Sequence, residues 1–399
     1  MTVQPIVYLI CEFKSRDLPS RLLIADYLLE AGYTVIVGQY WGIQAAIGGP
    51  SLPPGVCFYA TANTIQTRAM QNARKAGFIA IASDEEALPL SGKWMLSNIA
   101  PDALASCDLF VANNEAHKTL LGSAANIRVT GNARIERLHT LSSPRPIAED
   151  YILFNTGYGL INSVWRDMDE AVRRLAKASG IDLKTPEKMP AGLAEINQRI
   201  AAESASLELT MSVIEWVFAH TPHKIVIRPH PSEDASQWQT LSQRSDRISV
   251  VSKSDPLAWI AHAKLLLHSD STTGLEATVL GTPAINLAPT AEWSSRFVMS
   301  EINPTVRNLA EAKKAIAAAL SHPESAQPLD WPLDGARNIA AAIMEFLPPP
   351  APVHPQYWHL NPPRMQAQID KFSATTKEIG RGCVEMCESV FLLRPDKAR

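Results

Sequence analysis

Short, strongly apolar runs recur along this chain, with helix-forming stretches between them. Ile6–Ile10, Thr34–Val37, Val56–Tyr59, Phe78–Ala82 and Leu109–Ala112 are the runs of the first part. Tyr151–Phe154, Lys224–Ile227, Ile248–Val251, Lys264–Leu267 and Ala284–Leu287 repeat the pattern further on. Strands that alternate with helices are the mark of βαβ units and of a parallel sheet covered on both faces. Ser20–Ala31 predicts a helix closed by Gly32, since glycine enters the left-handed conformation of a helix end without strain. Further helices are predicted over Val164–Ala178, Leu193–Phe218, Ala310–Leu320 and Ala336–Phe346. The segment 127–132 closes the first half, 144–150 reads as a linker, and Pro348–Pro355 is a stiff spacer. Beyond it, Pro363–Leu393 is expected to be helical and to pack back on the body. No internal repeat of fixed period is present, although the halves share an architecture. The simplest α/β assembly is two αβα domains facing each other across a cleft, 1–145 and 146–347, with 348–399 as spacer and tail.

A chain of 399 residues suits two domains. A hydrophobic share of 46% and a mean hydropathy near zero fit a soluble globular enzyme with sizeable cores. The net charge of −3 excludes a general nucleic-acid binder, whose footprint is a strong basic excess. It leaves room for a local basic patch and for peripheral attachment to a membrane. The five cysteines are scattered and odd in number, which argues against a disulfide framework. Cys383 and Cys387 stand four apart and are expected to share one helical face as packing groups. Met1 is followed by Thr-Val-Gln-Pro and a strand-like run, without a basic n-region or cleavage site. No apolar run approaches the roughly 18 residues of a membrane span. A cytoplasmic protein is expected.

Two segments concentrate chemistry. In Lys224-Ile-Val-Ile-Arg228-Pro229-His230-Pro231, a strand ends in a turn stiffened by two prolines. Arg228 and His230 are thereby presented as donors to phosphate oxygens, with little ordering left to do on binding. In His268-Ser269-Asp270-Ser271-Thr272-Thr273-Gly274-Leu275-Glu276, a second strand runs into the start of a helix. Backbone N–H groups at a helix start attract anions, and the hydroxyls of Ser271, Thr272 and Thr273 add donors. Glu276, read as part of the first helical turn, is placed either to interact with the helix dipole or to accept from a ribose diol. Ligands of open parallel sheets bind beyond the carboxyl ends of strands, so two such ends in one domain point to a nucleotide-sugar site. Asn155, with Thr156-Gly157-Tyr158-Gly159, follows another strand and is a candidate phosphate or sugar loop. Asp84-Glu85-Glu86 is an acidic turn at a strand end, and His268 reads as a satisfied core histidine.

These segments, in this order, resemble the C-terminal half of GT-B glycosyltransferases of bacterial surface-carbohydrate assembly. Arg-Pro-His-Pro at 228–231, Ser-Thr-Thr-Gly-Leu-Glu-Ala at 271–277 and Gly281-Thr-Pro283 are most similar to the CMP-Kdo-dependent β-Kdo transferases of capsule and O-antigen synthesis. Glu12-Phe-Lys14-Ser-Arg16-Asp17-Leu18, Ser83-Asp84-Glu85-Glu86-Ala87 and Thr130-Gly-Asn-Ala-Arg134 resemble motifs of the N-terminal half. Ala87 stands where the motif usually has glycine, and Ala133 where it has proline. The resemblance covers about residues 6 to 300. It implies a GT-B-like pair of Rossmann-like domains, the first for the acceptor and the second for the nucleotide sugar.

The same resemblance implies a cytoplasmic glycosyltransferase moving Kdo, or a related 2-keto-3-deoxy acid sugar, from CMP to a lipid-linked lipopolysaccharide O-antigen or capsule glycan. The CMP-sugar is a substrate, and no other cofactor is implied. Lys14 and Arg16 would meet the sugar carboxylate. An aspartate often follows the His-Pro pair in capsule-type Kdo transferases; here Ser232 holds that place, with Glu233 and Asp234 next. Those two acids are the candidate nucleophiles of a retaining transfer, whereas Glu85 or Glu86 would be the general base of an inverting one. Arg228, His230 and the helix start at Gly274 would stabilise the departing phosphate. No tight Asp-x-Asp motif calls for a divalent metal. Two alternatives stay open. UDP-GlcNAc 2-epimerases share a Thr-Gly-Asn turn and the order of elements, although their double glycine and double glutamate are missing here. A non-catalytic nucleotide-sugar-binding module is the other.

Overall fold

The computed structural model describes residues 3–12, 14–49, 52–140, 142–165, 167–178, 181–252, 254, 256–322, 329, 331–351, 384–387 and 390–394. They fall into two compact units. The first takes the described residues within 1–88, 92–141 and 330–399, the second those within 89–91 and 142–329.

The first unit is built on β1 (Ile6–Cys11), β2 (Thr34–Gln39), β3 (Val56–Tyr59), β4 (Ile79–Ala82), β5 (Leu109–Ala112) and β6 (Ile127–Val129). The second holds β7 (Tyr151–Asn155), β8 (Lys224–Arg228), β9 (Ile248–Val250), β10 (Leu265–His268), β11 (Ala284–Leu287) and β12 (Thr305–Val306) in the order β12-β11-β10-β7-β8-β9. Every pairing among these twelve strands is parallel. β1 and β2 are buried at every position, as expected of strands with helices on both faces. Successive β1 side chains alternate between two cores, Ile6, Tyr8 and Ile10 in one and Val7, Leu9 and Cys11 in the other.

Two tail strands extend the first sheet, β13 (Val384–Cys387) and β14 (Val390–Leu393), giving the order β13-β14-β2-β1-β3-β4-β5-β6. β14 runs antiparallel to β2, with Phe391 opposite Val37 and Leu393 opposite Val35. The helix expected over Pro363–Leu393 is therefore corrected at its described end. Val390–Leu393 is buried at all four positions, and its backbone completes the edge of β2 that would otherwise be unpaired. Cys387 lies in β13, not on a helical face; Cys383 and the rest of the tail fall outside the described residues.

The helix Lys14–Glu30 begins before the expected Ser20 and carries Pro19 inside it; Gly32 ends it with φ +90°. The helix Gly335–Met344 was expected in the second domain and belongs to the first unit. Ala336, Ile339, Ala340 and Ile343 pack in one core with Ile24 and Leu28. Its amino end is held by Glu136, whose Oε2 accepts from the Ala336 and Arg337 N–H groups at 2.7 and 3.1 Å. A carboxylate at that end suits the orphan N–H groups and the dipole. Gly335 allows the approach: a Cβ there would stand 2.3 Å from Asn132 carbonyl carbon and oxygen. Gly335→Ala is expected to lower stability by about 1–3 kcal/mol through overpacking against backbone, read as an earlier urea midpoint. An unchanged midpoint would show that the helix sits elsewhere.

Among the described residues, no helix is long and apolar enough to cross a membrane.

Candidate functional site

The order of the second sheet sets where a ligand can enter. From β7 the chain steps to β8 and β9 on one side, then returns to place β10, β11 and β12 on the other. The reversal between β7 and β10 is a topological switch point, where the loops beyond the carboxyl ends diverge and leave a crevice. Residues at the carboxyl ends of four neighbouring strands stand in register there, the last of three and the last but one of β11: Asn286 beside His268, His268 beside Asn155, Asn155 beside Arg228. Register partners share a sheet face, so this is one polar row.

His268 is the core histidine that the sequence suggested. Its Nδ1 accepts from the Ser271 N–H at 3.4 Å, so Nε2–H donates to Asn303 Oδ1 at 3.0 Å. Burial lowers its pKa to about 4, which keeps the ring neutral. A Cβ on Gly274 would lie 2.3 Å from that Nε2, so Gly274 is needed for helix-on-strand packing. Ser271 caps the helix Thr272–Leu280, its Oγ accepting from the Thr273 N–H at 3.3 Å and hydroxyl at 3.0 Å. Thr272 and Thr273 are partly exposed at the helix start. Glu276 lies in the second turn rather than the first, which removes the close dipole contact expected for it.

Asp270 was not singled out from sequence. It takes φ +46°, the only positive φ of a described non-glycine residue, a conformation costing about 1–3 kcal/mol. Asn286 holds it from both sides, accepting from its N–H at 2.8 Å and donating Nδ2–H to its Oδ1 at 2.7 Å. Ser294 adds a donor at 2.8 Å. Burial raises the Asp270 pKa, and these bonds oppose the shift.

Asn155 is 4% exposed, and neither its amide oxygen nor its amide nitrogen has a hydrogen-bond partner. Beside it, Arg228 donates Nη2–H to the Ser254 carbonyl at 3.0 Å. His230 Nδ1 accepts from the Ser232 N–H at 3.2 Å and lies 2.7 Å from the Ser232 hydroxyl. The proton of the neutral ring is therefore on Nε2. Packing around the ring lowers its pKa, and the Arg199 and Arg228 charges lower it further.

Glu233 organises this turn. Its Oε1 accepts from the Thr156 hydroxyl at 2.7 Å and the His230 N–H at 2.9 Å. Its Oε2 accepts from Trp238 Nε1 at 3.2 Å and Asn162 Nδ2 at 3.4 Å. At 4% exposure, with both oxygens occupied, the carboxylate ties the β7 loop to the His-Pro turn. The expectation of a nucleophile at Glu233 is corrected accordingly. Asp234 is partly exposed and accepts from the Ser236 N–H at 3.0 Å.

Two cavities open beside this row. One of about 190 Å³ is lined by Gly157, Tyr158, Arg199, Glu203, Ser269, Asp270, Trp293 and Phe297, among others. The other, about 240 Å³, is lined by Gly159, Trp165, Arg174, Arg199, His230 and Ser232, among others. Arg199 borders both. It stands inside the helix Met189–His220, where no local motif marks it. A larger cavity of about 510 Å³ lies by Ala284, at the amino end of β11, and is lined in part by Asn303, the partner of His268.

In the first unit, Glu85 is not available as a general base. Its Oε1 accepts from Arg21 Nη1 at 2.6 Å, and the two side chains are 3% and 0% exposed. Arg21 also donates Nε–H to the Ile10 carbonyl at 3.1 Å and lies 4.6 Å over the Phe58 ring. Asp84 beside it is 1% exposed; its Oδ1 accepts from the Glu86 N–H at 3.1 Å and its Oδ2 has no partner. Burial, with the Glu86 charge, raises its pKa to about 7. Glu86 is the partly exposed acid of the three. Lys14 opens the first helix and is partly exposed; Arg16 is on the same helix, its side chain outside the described residues. Among the described residues, no group of three or more His, Cys, Asp or Glu is placed to hold a metal ion.

No protein-family model matches the chain, and no curated protein does. Solved structures do match in fold. UDP-GlcNAc 2-epimerase of Methanocaldococcus jannaschii, crystallised with UDP-GlcNAc and UDP, superimposes with TM-score 0.52 at 12% identity, over 85% of this chain and 99% of that one. The UDP-GlcNAc 2-epimerase of Neisseria meningitidis, bound to UDP-GlcNAc, gives 0.53 at 10% identity, over 85% and 99%. The fold is thus the two-domain, parallel-sheet α/β fold of GT-B-like proteins.

Proposed function

We propose that this chain binds a nucleotide-activated sugar at the β7–β10 switch point and is a glycosyltransferase. The carrying observation is Asn155, a buried amide with both ends open, set between Arg228 and the helix start that follows β10. An unmatched buried polar group costs about 1–3 kcal/mol, which a ligand's hydrogen bonds would remove. Arg228, the Nε2–H of His230 and the dipole at the start of the helix Thr272–Leu280 supply positive potential for a departing phosphate. With that charge from the protein, the reading assigns no divalent ion.

The motif resemblance makes the donor a CMP-activated 2-keto-3-deoxy acid sugar, Kdo or a relative. The acceptor is then a lipid-linked surface glycan, reached in the cytoplasm at the membrane's inner face. Asp234 is the remaining candidate nucleophile beside the His-Pro turn, and Glu86 the remaining candidate base of the first unit.

A second reading, UDP-GlcNAc 2-epimerisation, is favoured by the names of the fold neighbours. Calorimetric titration with CMP, CMP-Kdo, UDP and UDP-GlcNAc separates the two. Transfer predicts binding of CMP and CMP-Kdo, weakened about 10- to 100-fold in His230→Ala by loss of a charge-assisted bond, and CMP release that depends on a glycan acceptor. Affinity for UDP-GlcNAc alone, with solvent hydrogen entering the sugar, would establish the epimerase instead.

A further inference from the structure

Arg199 is a cation at the crevice of the second unit that the phosphate site does not use. Its Nε donates to Glu203 Oε1 at 2.8 Å. Glu203 is itself fixed, its Oε2 accepting from the Leu160 and Ile161 N–H groups at 2.9 and 3.3 Å. The ion pair thus ties Arg199 to the loop after β7. Both Nη groups are left without a hydrogen-bond partner among the described residues, on a side chain 33% exposed. Arg199 lines both cavities of the crevice. The charge reaches His230, whose protonation it disfavours.

We propose that the two free Nη groups of Arg199 bind a carboxylate on the sugar, making the site selective for nucleotide-activated acid sugars. The inference rests on the nucleotide-sugar reading and names its substrate class. A guanidinium held at Nε presents its outer N–H groups as a planar fork, which matches a carboxylate with two parallel bonds. A neutral sugar leaves that fork unmatched in a cavity walled by Trp293 and Phe297. Of the acids facing the same cavity, Glu203 is shared between Arg199 Nε and backbone N–H groups, which leaves the outer edge of the guanidinium open, and Asp270 is held through Oδ1 by Asn286 and Ser294. Arg174 is likewise held at Nε, by Glu170 at 2.6 Å, but it is more exposed, lies 4.9 Å over the Trp165 ring and lines only the neighbouring cavity. The phosphate belongs to Arg228, His230 and the helix start, so Arg199 is assigned the anion one group further along the donor. The carboxylate role given to Lys14 and Arg16 by the motif resemblance moves to Arg199.

The test is calorimetric titration of the full chain, wild type, Arg199→Lys and Arg199→Met, with CMP, CMP-Kdo and UDP-GlcNAc. Affinity for CMP is expected to stay within about twofold in both variants. Affinity for CMP-Kdo should fall about 10- to 100-fold in Arg199→Met, the loss of a charge-assisted bidentate contact, and by less in Arg199→Lys, which keeps the charge. Equal losses for CMP and CMP-Kdo would make Arg199 a phosphate ligand and overturn the proposal. Unchanged CMP-Kdo affinity in a folded Arg199→Met variant would overturn it too. A wild-type chain that binds CMP but not CMP-Kdo overturns the acid-sugar assignment alone. One that binds none of the three overturns the nucleotide-sugar reading, and this inference with it.

Discussion

Arg21→Met is expected to destabilise the first unit by about 3–5 kcal/mol, the usual cost of stranding one member of a buried ion pair. Glu85 would keep its place between β4 and the first helix, 3% exposed, with no cation to match it. Replacing both partners, as in Arg21→Met with Glu85→Leu, should recover most of the stability, because an apolar pair needs no matching charge. Urea unfolding of the three proteins, followed by amide exchange in β1 and β4, reads both effects. A single variant within about 1 kcal/mol of wild type would mean the pair is solvated. Glu85 would then return as a candidate base.

Asp84→Asn should change how stability depends on pH. The carboxyl has a pKa of about 7 in the folded chain against an ordinary value of 3.8. Between those values the unfolded chain ionises while the folded chain keeps its proton. Stability therefore falls as pH rises from about 4 to about 7, in full force below the lower value and lost through the upper one. Asparagine keeps the cap on the Glu86 N–H without the proton. Relative to wild type, the variant should gain up to about 4 kcal/mol between pH 4 and pH 8. The acids whose charges act on Asp84, Glu86 and Glu85, are retained in the variant. Parallel stability curves for the two proteins would mean that Asp84 is ionised throughout.

The strands were legible because each is a local pattern. Val56–Tyr59, Leu109–Ala112 and Ala284–Leu287 run as expected, an apolar run between turn residues being enough to mark a strand covered on both faces. The position of Arg228 and His230 at a strand end was legible for the same reason. What depends on distant partners was not. Val390–Leu393 is apolar and short enough to be strand or helix, and only the vacant edge of β2 decides it. The allegiance of the helix Gly335–Met344 is set by Glu136, about 200 residues earlier. Glu85 looked like a free acid until Arg21, 64 residues before it, was found beside it. Arg199 carries no motif, because its place at the cavities comes from the loops that a long helix passes.

The first unit draws on both ends of the chain. During synthesis, β2 waits for its outer neighbour until Val390–Leu393 leaves the ribosome, about 250 residues after the main body of that unit. At ordinary translation speeds this is roughly 12–50 s. The second unit, contiguous apart from three residues, can complete itself in that interval. The unit nearest the amino terminus is thus the last to mature, and a nascent chain stalled before residue 390 would carry an open strand edge of the kind that chaperones bind and aggregates extend.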